Sequence, residues 1–150
     1  MKHEVTHVVS LALAHCHGKP EIGYPDVWFR EGPAVYVSGS RALPGLAEFR
    51  RFAADPARVN PVSFHLWREL PRANWTATYY PLFGLLYAYL VDAEHGYGAS
   101  VEDGRNLLRY MADGDLFAAA FERAFRLSLA DLEANYYQIM EAYLTRIGVP

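Results

Sequence analysis

Apolar residues recur along this chain at helical spacing, in runs separated by Gly, Pro and Asp breaks, and that pattern predicts helices throughout. The first helix is expected from His3 to about His15, where Val8-Val9-Ser10-Leu11-Ala12-Leu13-Ala14 is apolar and free of Gly and Pro. Gly18, Pro20, Gly23 and Pro25 mark Cys16 to Pro25 as a loop. A second helix is expected from Val27 to Ser38, with Asp26 able to cap it. Pro33 argues for a later start, near Phe29, because a proline bends a helix unless it lies in the first turn. A short helix follows from Leu46 to Ala54, and Asp55-Pro56 breaks it. Asn60-Pro61 opens a less regular stretch, in which Ser63 is read as the cap of a short helix through Glu69. Pro71 to Thr76 reads as loop.

The later half is more strongly patterned. Thr78 or Tyr79 is expected to begin a long Tyr/Leu helix ending at Gly96. Ser100-Val101-Glu102-Asp103 reads as a capping box for a helix to Met111. Asp113-Gly114-Asp115 is a break, and Leu116 to about Phe125 is the next helix. Ser128-Leu129-Ala130-Asp131 repeats the capping pattern, and the last helix runs to Ile147 before Gly148. Phe117, Phe121, Phe125, Tyr136, Tyr137 and Tyr143 fall at helical spacings and read as core. Strand signals are weak: Ala34 to Ser38 alternates, and is read as helix. The fold class expected is all-α, in a single domain over residues 1–150.

Composition narrows the function classes. A hydrophobic fraction of 52% and an aromatic fraction of 15% exclude disorder. Net charge is −3, lysine is scarce and the arginines are scattered, so a nucleic-acid partner is not expected. No apolar run reaches the length of a membrane span. Cys16 is alone, which excludes an internal disulfide or a cysteine zinc cluster. Nothing in the sequence speaks to compartment.

Residues 3–7 carry the chemistry: His3-Glu4-Val5-Thr6-His7, a HExxH motif. Positions i and i+4 share a helix face, so His3 and His7 can bind one metal ion, and Glu4 can reach a water on it. Met1 and Lys2 alone precede the motif, so a domain lying upstream of such a helix is expected to be missing from this chain. A catalytic zinc takes three protein ligands and leaves one position for water. Candidates for the third are His15, His17, Glu21, Asp26 and Glu31. His15 and His17 are more than two turns beyond His7, too far to meet the same ion. The loop before Pro25 is long enough to return Glu31 to the histidines. The competing readings are an amphipathic helix with two surface histidines, and a solvated helix glutamate at 31. Asp92, Glu94 and His95 suggest a second metal site, but at a helix end they read as solvated groups near the C-terminal dipole.

HEVTH followed by Trp28-Phe29-Arg30-Glu31-Gly32-Pro33-Ala34-Val35-Tyr36 resembles the gluzincin metallopeptidases, nearest to their aminopeptidase N-like and glycyl-aminopeptidase-like branches. Trp28, Glu31, Gly32, Ala34 and Tyr36 match the family's W-L-x-E-G-x-A-x-Y block. The resemblance implies Glu31 as third zinc ligand beside His3 and His7. Tyr79-Tyr80-Pro81 through Leu90 resembles the family's tyrosine helix and implies Tyr80, with Tyr79 second, as the donor to the tetrahedral oxyanion. Phe117 to Phe125 and Ser128 to Glu133 resemble the closing helices, with Arg126 where glycine is frequent. Three departures stand out: a longer spacer from His7 to Glu31, Pro33 at an apolar position, and Val35 where a thermolysin-type chain has Asp.

The implied activity is zinc-dependent hydrolysis of a peptide bond in a peptide or protein substrate. Glu4 is the general base and Tyr80 the oxyanion donor. The resemblance implies that the chain corresponds to the helical C-terminal part of a gluzincin catalytic domain, with the upstream β-subdomain expected to be absent. Two other readings stay open: a folded fragment that binds zinc weakly and cleaves nothing, and a metal-free helical interaction module.

Overall fold

The computed structural model describes residues 2, 4, 6, 25–40, 42–64 and 75–149. Among them all regular structure is helical and no strand occurs. Lys2, Glu4 and Thr6 belong to an N-terminal helical segment, in which the Thr6 hydroxyl donates to the Lys2 carbonyl one turn back (3.0 Å). Then come α1 (Val27–Ser38), α2 (Leu46–Ala54), a 3-10 turn (Pro61–Ser63), α3 (Trp75–Val91), α4 (Val101–Asp113), α5 (Phe117–Phe125) and α6 (Leu129–Ile147). Residues 7–24, and 65–69 of the expected Ser63–Glu69 helix, lie outside the described residues.

α1 begins at Val27, not near Phe29. Its first turn is pinned: Val27 and Trp28 are fully buried, the Val27 amide donates to the Phe64 carbonyl (3.1 Å), and the Asp26 carbonyl accepts from Phe29 and Arg30. This anchoring outweighs the first-turn preference of Pro33, which sits inside the helix. Asp26 occupies the N-cap position, but its side chain makes no capping hydrogen bond.

The contact of α1 with α3 is close because each helix presents a glycine to the other. A Cβ on Gly32 would stand 2.7 Å from the Phe83 carbonyl oxygen, and one on Gly84 would stand 2.9 Å from Val35 Cγ1. Only glycine permits this backbone approach. α3 is buried over most of its surface, with Leu82, Phe83, Leu85, Leu86 and Leu90 all in the core, as expected of a central helix. Trp28 meets Phe117 and Phe121 of α5 edge-on, with ring centroids 6.1 and 5.8 Å away. α6 turns Leu132, Tyr136, Met140 and Tyr143 inward at helical spacing. Tyr136 meets Phe49 of α2, and Tyr143 meets Tyr89 of α3.

The 3-10 turn is capped by Asn60, whose Oδ1 accepts from the Val62 amide (3.0 Å). Ser63 is its last residue and donates instead to Glu133 Oε1 of α6 (2.5 Å). The Asn60 side chain donates to the Glu133 carbonyl (2.7 Å), so the turn is fastened to α6 twice.

α3 departs from expectation at both ends, starting at Trp75 and stopping at Val91 rather than Gly96. Asp92 ends it. Its Oδ1 accepts from the amides of Glu94 (2.9 Å) and His95 (3.1 Å), an Asx turn. Its Oδ2 accepts from the Tyr143 hydroxyl (3.0 Å). The His95 amide first, then the Glu94 amide, hold this carboxyl below its ordinary value. Asp92 is therefore a strut between α3 and α6, and not the solvated group expected.

The remaining helices end as their caps dictate. In α4 the Ser100 amide donates to Asp103 Oδ2 (2.7 Å) and the Asp103 amide to Ser100 Oγ (3.2 Å), the expected capping box. The helix continues past Met111 to Asp113, where left-handed Gly114 stops it. Ser128 Oγ accepts from the Asp131 amide at the start of α6 (3.2 Å). α5 closes on Arg126 at φ 54°, the one non-glycine residue with positive φ among those described. Among the described residues, no helix is long and apolar enough to cross a membrane.

Candidate functional site

Glu31 lies one turn into α1 and is 1% exposed. Tyr80 lies on α3, one turn before Gly84, and is half-buried. The glycine contact joins α1 and α3 directly beside these two residues, so it governs their separation. The Tyr80 hydroxyl donates a hydrogen bond to the Glu31 carboxylate. The third participant is Glu4, exposed on the N-terminal helical segment, whose charge reaches the Tyr80 phenol.

Electrostatics fix the protonation state of the phenol. Burial pushes Tyr80 above its ordinary value, and the Glu31 charge, the hydrogen bond to Glu31 and the Glu4 charge push it further. The Arg30 guanidinium acts in the opposite direction. Tyr80 thus stays a neutral donor well into alkaline pH, the form needed to stabilise a developing negative charge.

Tyr79 and Tyr80 sit in different environments. Tyr79 is 4% exposed and packs edge-on against Phe64 and Phe52, with centroids 4.9 and 5.8 Å away. Its hydroxyl accepts from the Val59 amide (3.4 Å). Tyr79 is a core residue, and Tyr80 faces Glu31.

His3 and His7 lie outside the described residues, as do His15, His17 and Glu21. Asp26 is buried at the start of α1. Among the described residues no three His, Cys, Asp or Glu side chains gather so as to hold a metal, and this includes Asp92, Glu94 and His95. The donor chemistry at Glu31 still suits a cation. A carboxylate is a ligand type that divalent cations accept, and this one is buried with the Tyr80 hydroxyl bonded to it.

Arg30 is the site residue that pattern reading passed over. Its only sequence signal is its place beside Glu31, since nothing along the chain tells that Tyr80 will come within reach of its charge. A separate apolar cleft of about 320 Å³ lies between α1, α3, α4 and α5, lined by Phe29, Pro33, Tyr87, Leu108 and Phe125 and reached by Thr6. Val37 and Val101 stand exposed at its rim. Its polar lining is engaged: Ser100 with Asp103, and Arg105 with Glu102.

Comparison with protein-family models, with curated proteins and with solved structures finds no match to this chain.

Proposed function

We propose that this chain is the helical part of a gluzincin-type zinc metallopeptidase and that its chemistry is hydrolysis of a peptide bond. The meeting of Glu31 with Tyr80, with the Glu4 charge in reach, carries this reading. These three residues come from three distant segments, and the HExxH and W-x-x-E-G motifs single out two of them. In this reading His3, His7 and Glu31 hold the metal, which when bound supplies a Lewis acid that lowers the pKa of a water toward ~7. Glu4 accepts the proton of the attacking water and returns it to the leaving amine. The Tyr80 phenol donates to the oxygen on which negative charge develops.

The test is paired. Glu4→Gln should keep zinc, measured by elemental analysis of the purified protein, and lose turnover of casein or of an aminoacyl-anilide by a factor of about 10² or more. Loss of zinc in that variant would assign Glu4 to the wrong role. Zinc bound by the unaltered protein without turnover would leave a helical metal-binding module. Absence of zinc would leave the metal-free interaction module.

A further inference from the structure

α4 packs along α5 but stands off from α1 and α3, and the apolar cleft of about 320 Å³ is the space between them. Its α1 wall is Phe29, Pro33 and Val37, spaced by four and so on one face. Glu31, two residues from Phe29, lies round the helix on another face. The α4 wall contains Gly104, inside the helix, where glycine is less favourable than alanine. Nothing local compels a glycine there. Its φ is not positive, and a Cβ on it would meet no atom of the described residues within 4 Å. The helix is thus weakened at the one α4 position where a side chain would begin to fill the cleft.

The mouth is apolar with one kind of charge. Val37 and Val101 are 56% and 75% exposed, and Arg105 stands beside them. Arg105 is bonded to Glu102 (3.3 Å), but both side chains are more than half exposed and Glu102 keeps a shorter bond from Arg109 (2.7 Å). Arg105 can therefore turn to another anion at little cost. The hydroxyls of the lining, Thr6 and Ser100, donate to the Lys2 carbonyl and to Asp103 Oδ2. They have no proton left for the carbonyl groups of a peptide, whereas a hydrocarbon chain needs none. At about 30 Å³ per non-hydrogen atom, the share of a water in the liquid, the cleft takes roughly ten such atoms.

We propose that this cleft binds a medium-chain fatty acid, its hydrocarbon chain between Phe29, Leu108 and Phe125 and its carboxylate on the Arg105 guanidinium. The site is separate from the metal reading and does not depend on it.

Calorimetric titration of the full chain with octanoate, and with octanol as the uncharged counterpart, tests it. Octanoate should bind with a Kd of about 1 mM or tighter, and more tightly than octanol. Gly104→Leu fills the void, and should raise the thermal unfolding midpoint and weaken both ligands about tenfold or more, the worth of about two buried methylenes. Arg105→Gln should weaken octanoate by about two- to fivefold and leave octanol unchanged. This surface variant decides the matter even if Gly104→Leu does not fold. Absence of binding up to about 10 mM octanoate, or undiminished binding in folded Gly104→Leu, overturns the site. Octanol bound as tightly as octanoate, or an Arg105→Gln variant that binds octanoate as the unaltered protein does, overturns the fatty-acid assignment.

Discussion

Glu31 and Tyr136 are two buried polar residues with opposite settings. Glu31 has a donor in Tyr80, as a carboxylate at that depth requires. The Tyr136 hydroxyl is fully buried among Phe49 and Tyr137 and has no hydrogen-bond partner among the described residues. A hydroxyl desolvated without compensation costs roughly 1–3 kcal/mol. Tyr136→Phe should therefore leave stability unchanged or raise it by about 1 kcal/mol, read as the urea midpoint at constant m-value. A loss of more than about 1 kcal/mol would mean that the hydroxyl is satisfied in solution. At this scale the motifs single out Glu4, Glu31 and Tyr80 from their neighbours along the chain, and the fold brings Glu31 and Tyr80 together. Arg30 is not singled out, and Asp92 is read only as a solvated helix-end group, because the partners of both lie on other helices. The Asx signal of Asp92-Ala93-Glu94-His95 could have been read as a helix stop, but its bond to Tyr143 has no local trace.

Elements were legible where periodicity and punctuation agree. α1 and α2, and the end of α6 at Gly148, stand where Asp26, Gly45, Asp55 and Gly148 mark their ends. α3 departs from expectation because its apolar residues cover every face, so periodicity locates neither end. α3 also supports the site, through the Phe83 carbonyl against Gly32 and through Gly84 against Val35. Gly32→Ala should destabilise the protein by about 1–3 kcal/mol, since the new methyl meets backbone rather than a flexible side chain. The denaturant midpoint measures this. Wild-type stability in that variant would mean that the two helices part without cost, and that the glycine contact does not set the site.

At the scale of the whole molecule the tyrosines set the response to alkali. Burial is the first cause of the raised values of Tyr79, Tyr80, Tyr136 and Tyr143. In the unfolded chain these phenols lose their protons near pH ~10, whereas in the folded chain they keep them longer. Unfolding above that pH therefore releases protons, and stability present at neutral pH declines as pH rises from about 10 through the folded values. Thermal midpoints recorded from pH 8 to 12 should fall steeply over the upper part of that range. A flat profile would mean that the phenols titrate equally in both states. The all-helical class itself was readable from spacing alone, while the way the helices converge on Glu31 was not, because no sequence period encodes which faces meet.

The tight seam at Gly32 and Gly84 has a practical corollary for anyone redesigning this protein. Close to Glu31 and Tyr80 the two helices meet at the Phe83 carbonyl over Gly32, which cannot be trimmed, and at the Val35 side chain over Gly84, and both glycine positions reject even the smallest addition. The scaffold has no adjustable spacer there. To alter the reach of the pair, an engineer would have to exchange Glu31 or Tyr80 for a side chain of another length.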